Sequence, residues 1–240
     1  MTPQPHNFTA PTWTKRTFEF VLLACIGFVF LTALAMAFYP GGTARDHDSR
    51  GYQFFVNYFS DLGRTSTYNG TPNRFSSALF TLALGAAGLA LASFFVAFAR
   101  LFWRGLFERV AAGFGAALGL LSGAAFAGIA VTPANLNSPL HLVFVSMAFR
   151  AFLLAVLPFI IVILSGRHYP RGGALVFIAF ALGLVAYIQL ITVGPSPRTV
   201  AGLMVQATGQ KLIVYASIVS VGLQALLARR FCASQPVSTS

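Results

Sequence analysis

Six long apolar stretches, separated by polar segments, dominate the pattern of the sequence. Each is close to the roughly 20 helical residues needed to cross the hydrocarbon core of a bilayer. Because every backbone polar group in lipid must be hydrogen-bonded within the protein, these stretches are predicted to be helices. The predicted spans are Phe18 to Tyr39, Ser76 to Ala99, Val110 to Val131, Leu140 to Leu164, Ala174 to Val193 and Leu212 to Ala228.

The predicted fold class is all-α, a polytopic membrane protein with six transmembrane helices in one bundle, residues 18–228. Tails of residues 1–17 and 229–240 flank this domain, and a long loop, residues 40–75, joins the first two spans. The loop is expected to be ordered because it carries aromatic side chains of the kind that settle at a membrane interface. These are Tyr52, Phe54, Phe55, Tyr58 and Phe59.

The first span is predicted to be an uncleaved anchor. Lys15 and Arg16 precede it, and Ala33-Leu34-Ala35 mimics the cleavage site of a signal peptide. Its apolar core, however, is longer than the roughly 7 to 15 residues of a signal sequence.

Composition and charge support a membrane protein. Hydrophobic residues make up 57% of the 240 residues and charged residues only 9%, whereas a soluble domain has about 25% charged residues. The net charge of +11 could suggest nucleic acid, but the basic residues lie mostly in short segments between spans, a pattern that sets membrane orientation. No nucleic-acid partner is therefore predicted.

The distribution of the basic residues predicts the orientation. With the N-terminus inside, nine of the 16 lysines and arginines fall on the cytoplasmic side and six outside. The predicted location is a cell membrane, crossed several times, with both termini in the cytoplasm. The two cysteines give no disulfide framework, the histidines are scattered, and neither a metal site nor a cofactor is predicted.

Small residues predict how two of the spans pack. Gly115, Gly119 and Gly123 repeat every four residues on one face of the third span. Such faces allow close helix approach in lipid. The expected contact is with the second span, and formation of a homo-oligomer through the same glycines is the alternative.

The richest candidate motif in the long loop is Asn57 to Arg64, which contains Ser60 and Asp61. In a structural interpretation, Ser60 and Asp61 cap a turn and Gly63 supplies a positive φ. In a functional interpretation, Asp61 is an acid, a base or a headgroup contact at the outer membrane surface, with Asn57, Ser60 and Arg64 as binding residues.

The fourth span contributes two further candidates. Ser138 is predicted to be its N-cap, followed by Pro139, which places His141 in the first turn, where the helix dipole favours a neutral imidazole that could act as a base. Arg150 lies deeper and must face the bundle interior or a cavity, because an unpartnered arginine in lipid is costly. Nine steps of about 100° put His141 and Arg150 on opposite helix faces, so they are not expected to share a pocket.

The last outer connection supplies two more basic residues, Arg198 and Lys211, with an interfacial or re-entrant piece, Val200 to Val205, between them. Both are candidates for contacts with anionic headgroups, and plain interfacial anchoring is the alternative.

A family resemblance rests on two short motifs. One is Asn-x-x-Ser-Asp-Leu-Gly, here Asn57 to Gly63, and the other is Gly128 with Pro133, followed by His141. In these the chain resembles the domain-of-unknown-function 998 family, which is related to the eukaryotic FRAG and DRAM proteins. The resemblance implies a six-helix bundle with an ordered outer loop over the helix ends, and some eukaryotic relatives act on or sense membrane lipids.

The leading functional hypothesis is a protein that handles membrane lipids in an outer-leaflet pocket formed by the first, third and fifth connections. Asp61 and His141 are its candidate catalytic residues, although the sequence does not decide whether the protein is an enzyme. A non-catalytic scaffold or accessory subunit is the first alternative. A small-solute transporter is the second, and it would require a water-filled path to Arg150 and an inverted repeat.

Overall fold

The computed structural model describes residues 12–166 and 168–234. Within these ranges the chain forms six α-helices and short 3-10 turns: α1 (Thr12–Ala37), α2 (Arg74–Ala99), α3 (Leu106–Val131), α4 (Ser138–Ser165), α5 (Gly172–Val193) and α6 (Val200–Ala233). All six are long and apolar enough to cross a membrane. The predicted all-α, six-helix membrane architecture is confirmed, and the protein is an integral, multi-pass membrane protein.

The helices form a closed ring in chain order. Each helix packs against the next, and contacts between α1 and α6 close the ring, as expected when most connections are short. We call residues 38–73 the cap segment and the end of the bundle that carries it the capped end. The connections 132–137 and 194–199 lie at the same end. Two antiparallel helices, α2 and α3, separate the first of them from the cap segment, and α4 and α5 separate the second from the first.

The sixth helix differs from the prediction. It begins at Val200 and is continuous for 34 residues, so a separate piece at Val200 to Val205 is wrong, as is the placement of Lys211 in a connection. Lysine is a good helix former, and its ammonium can be buried because it donates hydrogen bonds to the carbonyls of Asn57 and Ala207. A satisfied charge can be buried within a helix.

The two predicted tails are partly helical. The described part of α1 starts at Thr12, inside the predicted tail 1–17, and α6 extends to Ala233, inside the predicted tail 229–240. The rest of both tails, residues 1–11 and 235–240, lies outside the described residues.

The glycine row of α3 faces inward. A Cβ added at Gly123 would lie 2.5 Å from the carbonyl oxygen of Gly88 in α2, and one at Gly119 would overlap the ring of Phe95. At Gly115 the nearest group is the ring of Phe159 in α4, at 2.7 Å. The close contact predicted between the second and third spans is present. A homo-oligomer through these glycines stays a prediction.

Aromatic rings fill the half of the bundle away from the cap segment. Phe98 lies at their centre, 5.0 Å between ring centroids from both Phe94 and Phe159, and 5.8 Å from Phe177. All four side chains are fully buried. This half is therefore packed with rings, and the space for a site lies toward the capped end.

Candidate functional site at the capped end

The cap segment is anchored by an aromatic side chain that enters the bundle. A 3-10 helix, Phe59–Gly63, lies over the helix ends. Phe59 is buried among the rings of Phe28, Phe80 and Tyr215, at centroid distances of 5.8, 6.1 and 5.5 Å, and Leu62 is fully buried beside it. Burying a large apolar side chain contributes about 1.5 to 3 kcal/mol, which holds the segment against the bundle.

Hydrogen bonds tie the cap segment to three parts of the bundle. The backbone N–H of Phe59 donates to Oε1 of Gln210 in α6 over 2.7 Å, and that of Thr65 donates to Oδ1 of Asn135 in the α3–α4 connection over 3.0 Å. In the first turn of α2, the hydroxyl of Ser76 donates to the carbonyl of Leu62 over 3.2 Å. The position of the segment is thus fixed from several sides.

Asp61 lies at the centre of the cap segment and is only 3% exposed. Its Oδ2 accepts hydrogen bonds from Nδ2 of Asn57 (3.1 Å) and the N–H of Tyr58 (2.8 Å), and its Oδ1 accepts one from the hydroxyl of Tyr68 (3.0 Å). Burial raises the pKa of this carboxyl above its ordinary value, while the three donors and the charge of Arg64 act in the opposite direction. The capping role of Asp61 in the structural interpretation is therefore realised.

Asn57 and Lys211 form a second layer beneath Asp61. Asn57 is fully buried, and its amide also donates to the carbonyl of Gly42 over 2.9 Å. Its own carbonyl accepts from the ammonium of Lys211, which is 1% exposed and lies 5.4 Å from the ring centroid of Tyr52. Lys211, predicted to meet headgroups at the surface, is instead enclosed between the cap segment and α6.

Gly63 does not have the positive φ proposed for it. The reason for a glycine here is space, because a Cβ would lie 2.7 Å from the ring of Phe80.

The predicted capping role of Ser138 is also wrong. The N-cap of α4 is Asn137, whose side chain accepts from the N–H of Leu140 over 3.1 Å.

A cavity of about 600 Å³ lies between the cap segment, the α3–α4 connection and the parts of α4, α5 and α6 nearest the capped end. The cap segment contributes Tyr58, Ser60, Asp61, Arg64 and Tyr68, and α4 contributes Ser138, His141, Leu142, Val145, Ser146 and Arg150. The remaining walls are Ala134, Tyr187, Ile191, Thr192, Pro197, Gln206 and Gln210. Its volume is in the range of small-molecule and cofactor sites.

His141 reaches this cavity with a defined tautomer. Its Nδ1 lies 2.7 Å from the carbonyl oxygen of Thr132. Because a carbonyl can only accept, Nδ1 carries the proton in the neutral ring and Nε2 carries the lone pair. In the described part of the chain, no hydrogen bond or ion pair joins His141 to Asp61, so the two groups share the cavity without direct contact.

Arg150 shares the cavity with His141, and the expectation that the two lie apart is wrong. Leu142, Val145 and Ser146 line the same cavity between them, so it extends around half the circumference of α4. The guanidinium of Arg150 also turns back toward the capped end, where it donates to the hydroxyl of Ser146 one turn earlier. Side chains in a helix point toward its N-terminus, which brings this group closer to His141 than a helical wheel suggests.

The charge of the cavity wall is positive. Arg64 stacks on Tyr68, with its Cζ 4.0 Å from the ring centroid, and its Nε donates to the carbonyl of Ser66 over 3.2 Å. Among residues 12–166 and 168–234, neither Arg64 nor Arg150 has a carboxylate oxygen within 4.0 Å. The ion pair found in these ranges joins Arg229 to Glu19, and neither residue lines the cavity. Asp61 is the single acid in the wall.

Three predicted binding residues, Asn57, Arg198 and Lys211, do not line the cavity, and several lining residues were not predicted. Arg198 is exposed in the α5–α6 connection, where its neighbour Pro197 lines the cavity instead. Tyr58, Tyr68, Ser146, Tyr187, Gln206 and Gln210 were missed. Gln206 and Gln210 could have been found, because two glutamines one turn apart at the head of an apolar span indicate an inward polar face.

No family model matches the chain, and no curated protein or solved structure shows a significant match to it.

Proposed function

We propose that this protein binds the anionic headgroup of a membrane lipid in the cavity at the capped end. By the charge pattern this cavity faces the outer leaflet. The observation that supports the proposal best is Arg150, which is exposed, lines the cavity and carries a charge that no carboxylate within the described residues balances.

The position of Arg150 makes this observation informative. It follows Ser138, the first residue of α4, by 12 residues, which places its Cα about 18 Å along the helix. An arginine at such depth costs several kcal/mol unless it meets water or a counter-charge. A phosphate oxygen in the cavity would supply that counter-charge, and guanidinium groups bind phosphate with paired hydrogen bonds.

A second basic group and several neutral donors complete the match to an anion. Arg64 lies in the cavity wall with the hydroxyls of Tyr58 and Ser60, whereas the hydroxyl of Tyr68 already donates to Asp61. Asp61, the one acid, has both carboxyl oxygens occupied by donors from the cap segment. The wall therefore offers two positive charges to a headgroup, and the negative charge opposing them is already bonded.

The test compares arginine variants in purified protein. Arg150→Gln and Arg64→Gln should each lose the thermal stabilisation that a phosphatidic acid gives to the wild type in detergent, while phosphatidylcholine stabilises none of them selectively. Arg45→Gln is the matched control, because Arg45 is exposed in the cap segment and does not line the cavity. Equal stabilisation of all variants, or none in the wild type, would refute the proposal.

Chemistry on the bound lipid would use Asp61 and His141. General acid–base work needs a group within about 3 Å of its proton partner or of a shared water. Since Asp61 and His141 are not bonded to each other, a water or a substrate group would have to bridge them, with Nε2 of His141 as the base. Asp61→Asn is then expected to remove lipid-dependent activity without loss of expression, and full activity in that variant would exclude the role.

The scaffold alternative is favoured by one observation, the complete hydrogen bonding of Asp61 within the cap segment. In that function Asp61→Asn lowers thermal stability in detergent, and added lipids give no headgroup-selective stabilisation. A transporter is less supported. The cavity does reach Arg150, but a path beyond it would require the buried rings around Phe98 to move.

Membership in the domain-of-unknown-function 998 family remains a proposal based on the two sequence motifs.

A further inference from the structure

Two smaller cavities continue from the large one into the bundle. The first, about 30 Å³, shares Ser60, Val145 and Gln210 with the wall of the large cavity. The second, about 50 Å³, shares Phe28, Leu84, Phe126 and Val214 with the first. The three cavities thus form one series from the capped end toward the middle of the bundle. We call the two smaller ones together the inner slot.

The inner slot is apolar and deep. Its innermost wall includes Cys25, Phe152 and Val221. Ser217 is also there, but its hydroxyl donates to the carbonyl of Ile213 over 2.8 Å, so its polar atom is used within the helix. From Gln210 to Val221 the slot follows 11 residues of α6, which corresponds to about 16 Å.

Unfilled space of this kind is unusual in a packed bundle. Protein interiors have few voids larger than a water molecule, and an empty apolar cavity lowers stability because its walls lose contacts. A dry, apolar slot suits a hydrocarbon chain and not a hydrated solute.

We infer that the inner slot holds a single hydrocarbon chain of an anionic lipid whose headgroup occupies the large cavity. The inference rests on the proposed headgroup site and adds that one hydrocarbon chain of the bound lipid enters the protein. A chain attached to a headgroup beside Arg64 enters the slot past Ser60 and Gln210, where the polar wall gives way to phenylalanine rings. The slot is narrow, with Phe28 and Phe126 in the walls of both its parts, so it accepts one chain, and a second chain would remain in the bilayer.

The experiment uses lysophosphatidic acid with a photoactivatable diazirine at the end of a palmitoyl chain, added to the purified full-length protein in detergent. After irradiation, mass spectrometry at residue resolution is expected to find the label on the slot residues Cys25, Ser217 and Val221. Labelling confined to the exposed residues Leu23 and Leu223 on the same helices would overturn the inference.

A pair of matched variants tests the same point. Ala87 lines the slot, and Ala87→Phe should fill it and reduce the slot labels about tenfold, equivalent to about 1.4 kcal/mol. Ala78→Phe makes the same change at an exposed position of α2 and should leave the labels unchanged. If Ala87→Phe keeps the wild-type labels in a folded protein, the slot is not the chain site.

The outcomes separate the slot from the headgroup site. Slot labels that disappear in Arg150→Gln support both. Lipid binding that depends on Arg150 without slot labels overturns the inference and leaves the proposed function standing. Binding that is unaffected by Arg150→Gln overturns the proposed function itself.

Discussion

Replacing Asp61 by alanine removes the acceptor on which the cap segment is organised. Three hydrogen bonds are lost, from Asn57, Tyr58 and Tyr68. The amide of Asn57 keeps its bond to the carbonyl of Gly42, but the N–H of Tyr58 is left without a partner. A buried, orphaned donor costs about 1 to 3 kcal/mol, and a bond to a charged group contributes about 1.5 to 3 kcal/mol.

Part of this loss is offset, because alanine removes the desolvation cost of burying a carboxylate. We therefore expect Asp61→Ala to lower the free energy of unfolding by about 2 to 4 kcal/mol. Asp61→Asn should cost about 1 kcal/mol or less, because its Oδ1 still accepts from Asn57 and Tyr58 while its NH₂ group donates to the hydroxyl of Tyr68.

The assay is thermal unfolding of both variants in one detergent, with hydrogen exchange of the cap segment measured in parallel. Asp61→Ala should unfold at a clearly lower temperature and show faster exchange at residues 57–62 than Asp61→Asn does. If the alanine variant is as stable as the asparagine variant, the carboxyl does not organise the cap segment, and the reasoning is refuted.

Three further predictions concern stability. Burial raises the pKa of Asp61 above its ordinary value of 3.8, so the folded state holds that proton more tightly. The resulting stability is present below pH 3.8 and is lost as the pH rises through the raised pKa. A thermal scan against pH should show this loss in the wild type and not in Asp61→Asn, and identical profiles would contradict it. Gly123→Ala places a Cβ 2.5 Å from the carbonyl oxygen of Gly88 and should cost about 1 to 3 kcal/mol, whereas Gly85→Ala, with open space around it, should cost nothing in the same unfolding assay, and equal effects would refute the packing. Lys211→Met removes the amine that bonds the cap segment to α6, so hydrogen exchange at residues 52–58 should accelerate, and unchanged exchange would show that the amine is not needed.

The sequence was sufficient for the membrane-spanning helices and less so for their ends. Apolar runs of about 20 residues have few alternatives in lipid, so all six spans were found. Lys211 hid the start of α6, because a lysine that is satisfied by carbonyls from another segment cannot be distinguished in the sequence from one in a loop.

The candidate site was only partly predictable, because its geometry depends on how the cap segment lies. The sequence pointed to Asp61, Arg64 and His141, all of which line the cavity. It separated Arg150 from His141, since a helical wheel ignores the length of an arginine side chain. It gave no sign of Tyr68, whose hydroxyl donates to Asp61 and whose Cβ lies close to Gly42. There a positive φ of 86° and close neighbours favour glycine.

The most direct test of the headgroup site is the identity of the lipids that co-purify with the protein. Mass spectrometry should find anionic, phosphate-bearing lipids enriched over the bulk membrane in the wild type and in Arg45→Gln, and this enrichment should be lost in the Arg64→Gln, Arg150→Gln double variant. A lipid composition equal to that of the bulk membrane in the wild type, or an enrichment that survives in the double variant, would contradict the proposed site.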